Sequence, residues 1–134
     1  MATPRPRFCC DDDLVRLGYD GLNADADLQR WREGRLHPPT TELIETILAE
    51  GVEDARVLDI GAGVGAVHVA LLEAGATAAI DVDASREFIA TAAAEAERRG
   101  LHGRVEYRYG DVVELAADLP PVEIVTLDSV ICCY

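Results

Sequence analysis

The sequence predicts an α/β protein: a parallel sheet of about four strands with helices on both faces, preceded by a helical segment. Three observations point there. From residue 52 onward, short apolar runs alternate with longer stretches of helical periodicity. Nothing ahead of residue 52 patterns as a strand. The apolar run "VLDI" then breaks into glycines at alternate positions, Gly61, Gly63 and Gly65, as a strand does when it turns sharply into a helix. Strand–helix–strand units close right-handedly over a sheet with covered faces, so the strands run parallel. The division expected is a helical cap over residues 1–51 and a sheet-bearing core over 52–134.

The elements follow in order. Residues 1 to about 10 are rich in proline and arginine and are expected to fray. "DDDLVRLGYDGLNADADLQRWREGRLHPP" mixes short helices with turn residues, and Pro38-Pro39 closes it. "TTELIETILAEG" reads as an amphipathic helix, capped by Thr40 or Thr41, with Leu43, Ile44, Ile47 and Leu48 on one face and Gly51 as its stop. "ARVLDI" is a buried strand. "VGAVHVALLEAG" is a helix with Val67, Ala70 and Leu71 at core spacing and Gly75 ending it. "TAAIDV" is the second strand, and "SREFIATAAAEAERRG" a helix with Ser85 as N-cap and Arg98-Arg99 favouring its C-terminal dipole. "RVEYRY" alternates like a half-exposed strand, "DVVELAADLPP" is a loop or short helix, and "VEIVTLDSVICCY" begins with a fourth strand.

Composition excludes several chemistries. The chain has 134 residues, one domain's worth, and a net charge of -13. That charge points away from a nucleic-acid partner, since such proteins carry a basic face. All 12 basic residues are arginine, which rules out a Schiff-base lysine and the lysine of a Walker-type phosphate loop. The cysteines form two adjacent pairs, Cys9-Cys10 and Cys132-Cys133, without the spacing of zinc or redox sites, so no metal is expected. Cys132 and Cys133 read as small buried residues. No signal-peptide core and no membrane-length apolar run is present, and the expectation is a reduced, cytoplasmic protein with no membrane partner.

The glycine turn sits where a nucleotide-like ligand binds in an open parallel sheet, beyond the carboxyl ends of the strands. It also fits the relaxed dinucleotide pattern G-x-G-x-x-[GA], with Ala66 in the last slot. Asp83 ends the second strand about twenty residues beyond Gly61, where a carboxylate can accept both hydroxyls of a ribose; read alone, it is equally a solvated acid ahead of Ser85. Asp59 precedes the turn, where a diphosphate would be repelled. Asp111 falls at the same rim and can accept from an exocyclic amine, and Asp128 follows the fourth strand. Four acids on one rim suit a ligand with a ribose, amino groups and positive charge but no phosphate.

These motifs resemble those of class I S-adenosylmethionine-dependent methyltransferases, with a Rossmann-like fold, over roughly Arg56 to the C-terminus. "VLDIGAGVG" resembles the first motif, implying cofactor contacts from Asp59, Gly61, Ala62, Gly63 and Gly65. "IDVDAS" is similar to the second, implying Asp83 on the ribose and Ala84 beside adenine. "GDVVEL" resembles the segment that implies Asp111 and Val112 at adenine, and "VEIVTLDSV" the fourth motif, implying Asp128 near the methionine part or the acceptor. The resemblance implies S-adenosylmethionine as cofactor and methyl transfer, here expected to a small-molecule acceptor. It also implies three further strands, whereas the sequence ends at Tyr134. The expectation is therefore a cofactor-binding half with weak turnover, and a fourth strand whose uncovered edge favours self-association. An NAD-binding oxidoreductase is the alternative, argued against by Asp59; a non-catalytic nucleoside-binding protein is the other.

No catalytic residue is assigned, because sulfonium is already a good leaving group and positioning is the main requirement. His68 and His102 read as surface or packing residues, and His37, ahead of Pro38-Pro39, as a candidate for the acceptor pocket. Arg30, Arg32 and Arg35 around Trp31 read as a solvated helix face, with a carboxylate-binding cluster as the alternative.

Overall fold

The computed structural model describes residues 23–130. The four cysteines and the expected fraying of the N-terminus lie outside the described residues. Among the described residues, two helices precede the sheet. Helix α1 spans Ala24–Arg32; Asn23 caps it by accepting from the Ala26 amide, and Asp25 and Asp27 in its first turn oppose Arg30 and Arg32 in its last. That charge order complements the helix dipole.

Helix α2 spans Pro38–Glu50, and its capping position, His37, lies three or four residues ahead of the expected Thr40 or Thr41. Pro38 and Pro39 do not close the preceding segment; they open the helix, where a missing N–H costs nothing and a fixed φ helps. His37 is the capping position but makes no side-chain cap bond. Thr40 is thereby placed inside the first turn and buried, where its hydroxyl is free to reach another element. Gly51 ends the helix at φ 95.

The sheet follows as β1 (Arg56–Ile60), α3 (Ala66–Glu73), β2 (Ala78–Asp83), α4 (Arg86–Arg98), β3 (Val105–Tyr109), α5 (Val112–Leu115) with a 3-10 turn at Ala116–Asp118, and β4 (Ile124–Thr126). All four strands are parallel, in the order β3-β2-β1-β4. Ser85 caps α4 as expected, its hydroxyl accepting from the Phe88 amide at 3.3 Å. A cap of that kind is worth about 1 kcal/mol. The order reverses at β1: the chain first builds outward through β2 and β3, then returns to place β4 on the other side.

Register assigns the two faces. Ile124, Val57, Ala79 and Val105 are aligned across the sheet, and they join Ile44 of α2, Val67 and Leu71 of α3 and Ala96 of α4 in the main core. The opposite face carries Leu58, Ile60, Ile80 and Val82, covered by Val112 and Leu115 of α5 with Leu119 and Val122. The sheet is thus covered on both faces. At its edge, β4 leaves Val125 and Leu127 exposed.

Helix α1 is held to α4 by charge as well as by packing. Glu95 is buried and accepts from Arg32, Arg98 and Arg99, while the Arg99 guanidinium lies 4.2 Å over the Trp31 ring. Ala24, Val64 and Phe88 close the apolar side of the same contact. Of the three arginines around Trp31, Arg30 pairs with Asp27, Arg32 with Glu95 and Arg35 with Glu33. Among the described residues no helix is long and apolar enough to cross a membrane.

Candidate functional site

Along the α2–α4 face of the sheet, the side chains change character row by row toward the carboxyl ends of the strands. The first row is the apolar set already described. Two residues further on, Thr126, Asp59, Asp81 and Tyr107 stand in register across all four strands. One more step reaches the rim, where Asp83 pairs with Tyr109 and β1 gives way to Gly61. A core face therefore becomes a polar row and then an open edge within about 13 Å of strand, roughly four residues at about 3.3 Å each.

The glycine turn lies over the rim of β1. Gly61, Gly63 and Gly65 all adopt positive φ (63, 58 and 87), which a side-chain-bearing residue reaches only with strain. Gly61 donates to the Val82 carbonyl at 2.7 Å, and Gly65 closes a turn onto the Ala62 carbonyl at 3.0 Å. Their surroundings differ. A Cβ on Gly61 would meet Val130 at 2.5 Å and one on Gly65 would meet the His68 ring at 2.8 Å, whereas nothing lies within 4 Å of one on Gly63. The middle glycine faces open space.

Asp83 connects β2 to this turn. One of its oxygens accepts from the Gly63 amide at 3.0 Å and the other from the Ser85 amide at 2.8 Å. Burial pushes its carboxyl up; those amide bonds oppose the shift and the field of Asp59 adds to it. A carboxylate has about four acceptor positions, so these bonds do not use up its capacity to accept from a ligand. Ala84 beside it is exposed. The Gly110 amide donates to the Asp83 carbonyl at 3.0 Å, which places Asp111 and Val112 next in line along the rim. Asp111 caps α5 by accepting from the Val113 amide at 2.8 Å. The Arg86 guanidinium, 3.9 Å over the Tyr109 ring, stands at the same end of β3.

Asp59 and Asp128 are placed differently from Asp83. Asp59 is buried; it accepts from the Thr126 hydroxyl at 2.9 Å and from the His68 backbone at 3.3 Å, and it lies 2.9 Å from His68 Nδ1. Its charge lies behind the turn rather than on its surface. Asp128 accepts from the Thr40 hydroxyl at 2.5 Å, which joins the rim beyond β4 to α2. His37 and His102 are exposed.

Two buried side chains, His68 and Asp81, and the half-buried Tyr107 stand here without a role in the sequence reading. His68, expected at the surface or in packing, is fully buried in α3 above the polar row, while Asp81 and Tyr107 belong to that row. Burial works against the charge on His68, but the hydrogen bond with Asp59 and the fields of Asp59 and Asp81 outweigh it and raise its pKa. Burial lifts the Asp81 carboxyl to about 8 and the Tyr107 hydroxyl to about 12, with Asp81 adding to the latter. The signal was faint: a lone histidine in an otherwise apolar "AVHVALL", and an aspartate two residues before Asp83, hence on its face of the strand. Among the described residues no group of three or more histidine, cysteine or acidic side chains is placed to hold a metal.

Residues 57–134 match a family described as a methyltransferase domain. The chain is 36% identical over 83 residues to the release factor glutamine methyltransferase of Lactococcus lactis subsp. lactis, covering 60% of this chain and 30% of that protein. It is 33% identical over 70 residues to the ribosomal protein L11 methyltransferase of Escherichia coli O8, covering 52% and 24%. The chain thus spans less than a third of the length of these curated relatives. A solved structure, a proposed RNA methyltransferase from Pyrococcus horikoshii, aligns with a TM-score of 0.57 at 28% identity, covering 64% of this chain and 42% of that one.

These relatives overturn one expectation. They are named for a release factor, a ribosomal protein and RNA, so the small-molecule acceptor and the exclusion of nucleic acid do not stand. Net charge misled because it describes the solubility of a whole surface, not the chemistry of one rim. The nicotinamide alternative gains no support from these matches. With more than half of its residues matched, the chain belongs to the methyltransferase domain family.

Proposed function

We propose that this chain binds S-adenosylmethionine over its glycine turn and serves methyl transfer to a group on a macromolecule, with a protein side chain as the leading class of acceptor. One observation carries the binding assignment: the open space over Gly63 lies beside an Asp83 carboxylate that its backbone hydrogen bonds do not saturate. A nucleoside laid along this rim would give its ribose hydroxyls to Asp83. Its base would extend past Ala84 toward Asp111 and Val112, and its amino-acid end would approach Gly61, Ala62, Gly63 and Gly65. Asp59 favours a cation from behind the turn, and Asp128 borders the crevice where strand order reverses, the usual ligand position in such sheets. When bound, the cofactor supplies a methyl group on a cationic sulfur. The chain's own contribution is then to hold that group in line and exclude water. The acceptor class is supported by the names of the curated relatives, both of which are protein methyltransferases.

Equilibrium binding tests the reading. S-adenosylhomocysteine should bind in preference to NADH, and Asp83→Asn should weaken it at least about tenfold, because hydrogen bonds to a charged acceptor are lost. A preference for NADH, or an unchanged dissociation constant in the variant, would end it.

A further inference from the structure

Four buried side-chain polar atoms among the described residues have no hydrogen-bond partner: His68 Nε2, both Asp81 oxygens and the Tyr107 hydroxyl. Their concentration is the unusual fact. Buried polar groups are nearly always paired, and here the exceptions fall on three residues of one polar row and the helix above it. His68 is also in immediate contact with the turn, since a Cβ on Gly65 would lie 2.8 Å from its ring. The imidazole is therefore a prop: Asp59 holds it on one side, Gly65 rests on it, and its free nitrogen faces the electrostatic field of Asp81.

We propose that His68 is a positioning residue for the glycine turn, and that the protonation of His68 and Asp81 sets the shape of the turn and so its affinity for cofactor. The proposal rests on the cofactor reading given above. The groups that face the cluster are few. From β1 comes Asp59, from β2 Asp81 and Asp83, from β3 Tyr107, and from β4 the uncharged Thr126. Helix α4 brings Ala92 beside Gly65, and its own buried charge, Glu95, is closed by Arg32, Arg98 and Arg99. Among the described residues of these elements, only His68 brings a cationic form to the two carboxylates behind the turn. Once Asp81 ionises, a second acid of the same row, beside Asp59, draws on the imidazolium, and the glycine resting on the ring must follow it.

The test uses the full chain and begins without ligand. The amide resonances of Gly61, Gly63 and Gly65 and the ring nitrogens of His68 are followed by NMR from pH 5.5 to 9.5. The turn amides should move with a midpoint shared with His68, and Asp81→Asn should remove the upper part of that transition. Turn amides that stay flat in the wild type overturn the proposal, whatever the variant does. The second measurement is S-adenosylhomocysteine binding across the same range: at least a threefold change in dissociation constant in the wild type, and under half of that change in Asp81→Asn. Binding with an equal pH profile in both proteins overturns the proposal and leaves the cofactor reading intact. Titrating turn amides with no binding at any pH do the reverse.

Discussion

Replacing Asp81 by asparagine should stabilise the protein, and increasingly so as pH rises. Asp81 is fully buried with neither oxygen paired, and burial lifts its carboxyl from 3.8 to about 8; the field of His68 opposes that shift and those of Asp59 and Asp83 add to it. In the unfolded chain the same group ionises near its ordinary value. Between those limits the folded state holds a proton that the unfolded state has lost. Linkage then makes the folded state lose stability as pH rises from about 4 to about 8, with the full stability present only below the lower limit. At about 1.4 kcal/mol for each pH unit, the ceiling is about 6 kcal/mol, and local relaxation and water entry should bring the measured value to about 2–4 kcal/mol. Asparagine preserves the shape and cannot ionise. Urea unfolding followed by Trp31 fluorescence, at pH 4.5, 6, 7 and 8, measures the difference directly. The gap between Asp81→Asn and wild type should be small at pH 4.5 and reach at least about 2 kcal/mol at pH 8. Parallel stability curves across the range would refute the reasoning, for they would mean that Asp81 is ionised and solvated in the folded protein.

Two further substitutions probe the neighbouring contacts. Gly65→Ala should cost about 2 kcal/mol or more in thermal unfolding, because the residue sits at positive φ and the new methyl would meet the His68 ring; a neutral result would show that the ring yields easily. Glu95→Gln should cost about 1–3 kcal/mol at pH 7, because a neutral amide with a single acceptor oxygen replaces the carboxylate that Arg32, Arg98 and Arg99 share. The arginines hold the Glu95 carboxyl well below its ordinary value, so this stabilisation is present above about pH 4.5 and lost as pH falls. The difference between wild type and variant should shrink steadily as pH falls below about 4.5, and a difference as large at pH 2 as at pH 7 would contradict the assignment.

The fold was legible where periodicity changed and illegible where contacts decided. Strand and helix alternate cleanly from Arg56 to Thr126 because buried parallel strands are short apolar runs and each helix ends at a glycine or cap. Pro38-Pro39 was misread because a proline pair both ends a chain segment and begins a helix, and only the tertiary position of Thr40 separates the two. The placement of Asp83 and the glycines at one rim was legible because it depends on backbone position. His68 and Asp81 were not. Their meaning depends on register: Asp59 and Asp81 become neighbours only when β1 and β2 pair at Asp59↔Asp81, and no local pattern states that pairing.

The position of Asp59 bears on how the rim would attract the cationic cofactor proposed above. A carboxylate exposed beside the turn would be screened by water and would compete with backbone amides for the ligand. Placed one row down, Asp59 ties β1 to β4 through Thr126 and to the first turn of α3 through His68, so the three elements that border the crevice share one anchor. Its charge still acts upward through a medium of low polarisability, where it is weakened less than at the surface. The same burial makes the arrangement costly, since each unpaired polar atom in the row opposes folding. A valine at position 81 would be the more stable choice in a buried parallel strand. An aspartate there, facing a histidine on which a glycine of the turn rests, is the kind of local conflict that accompanies a working site more often than a structural accident.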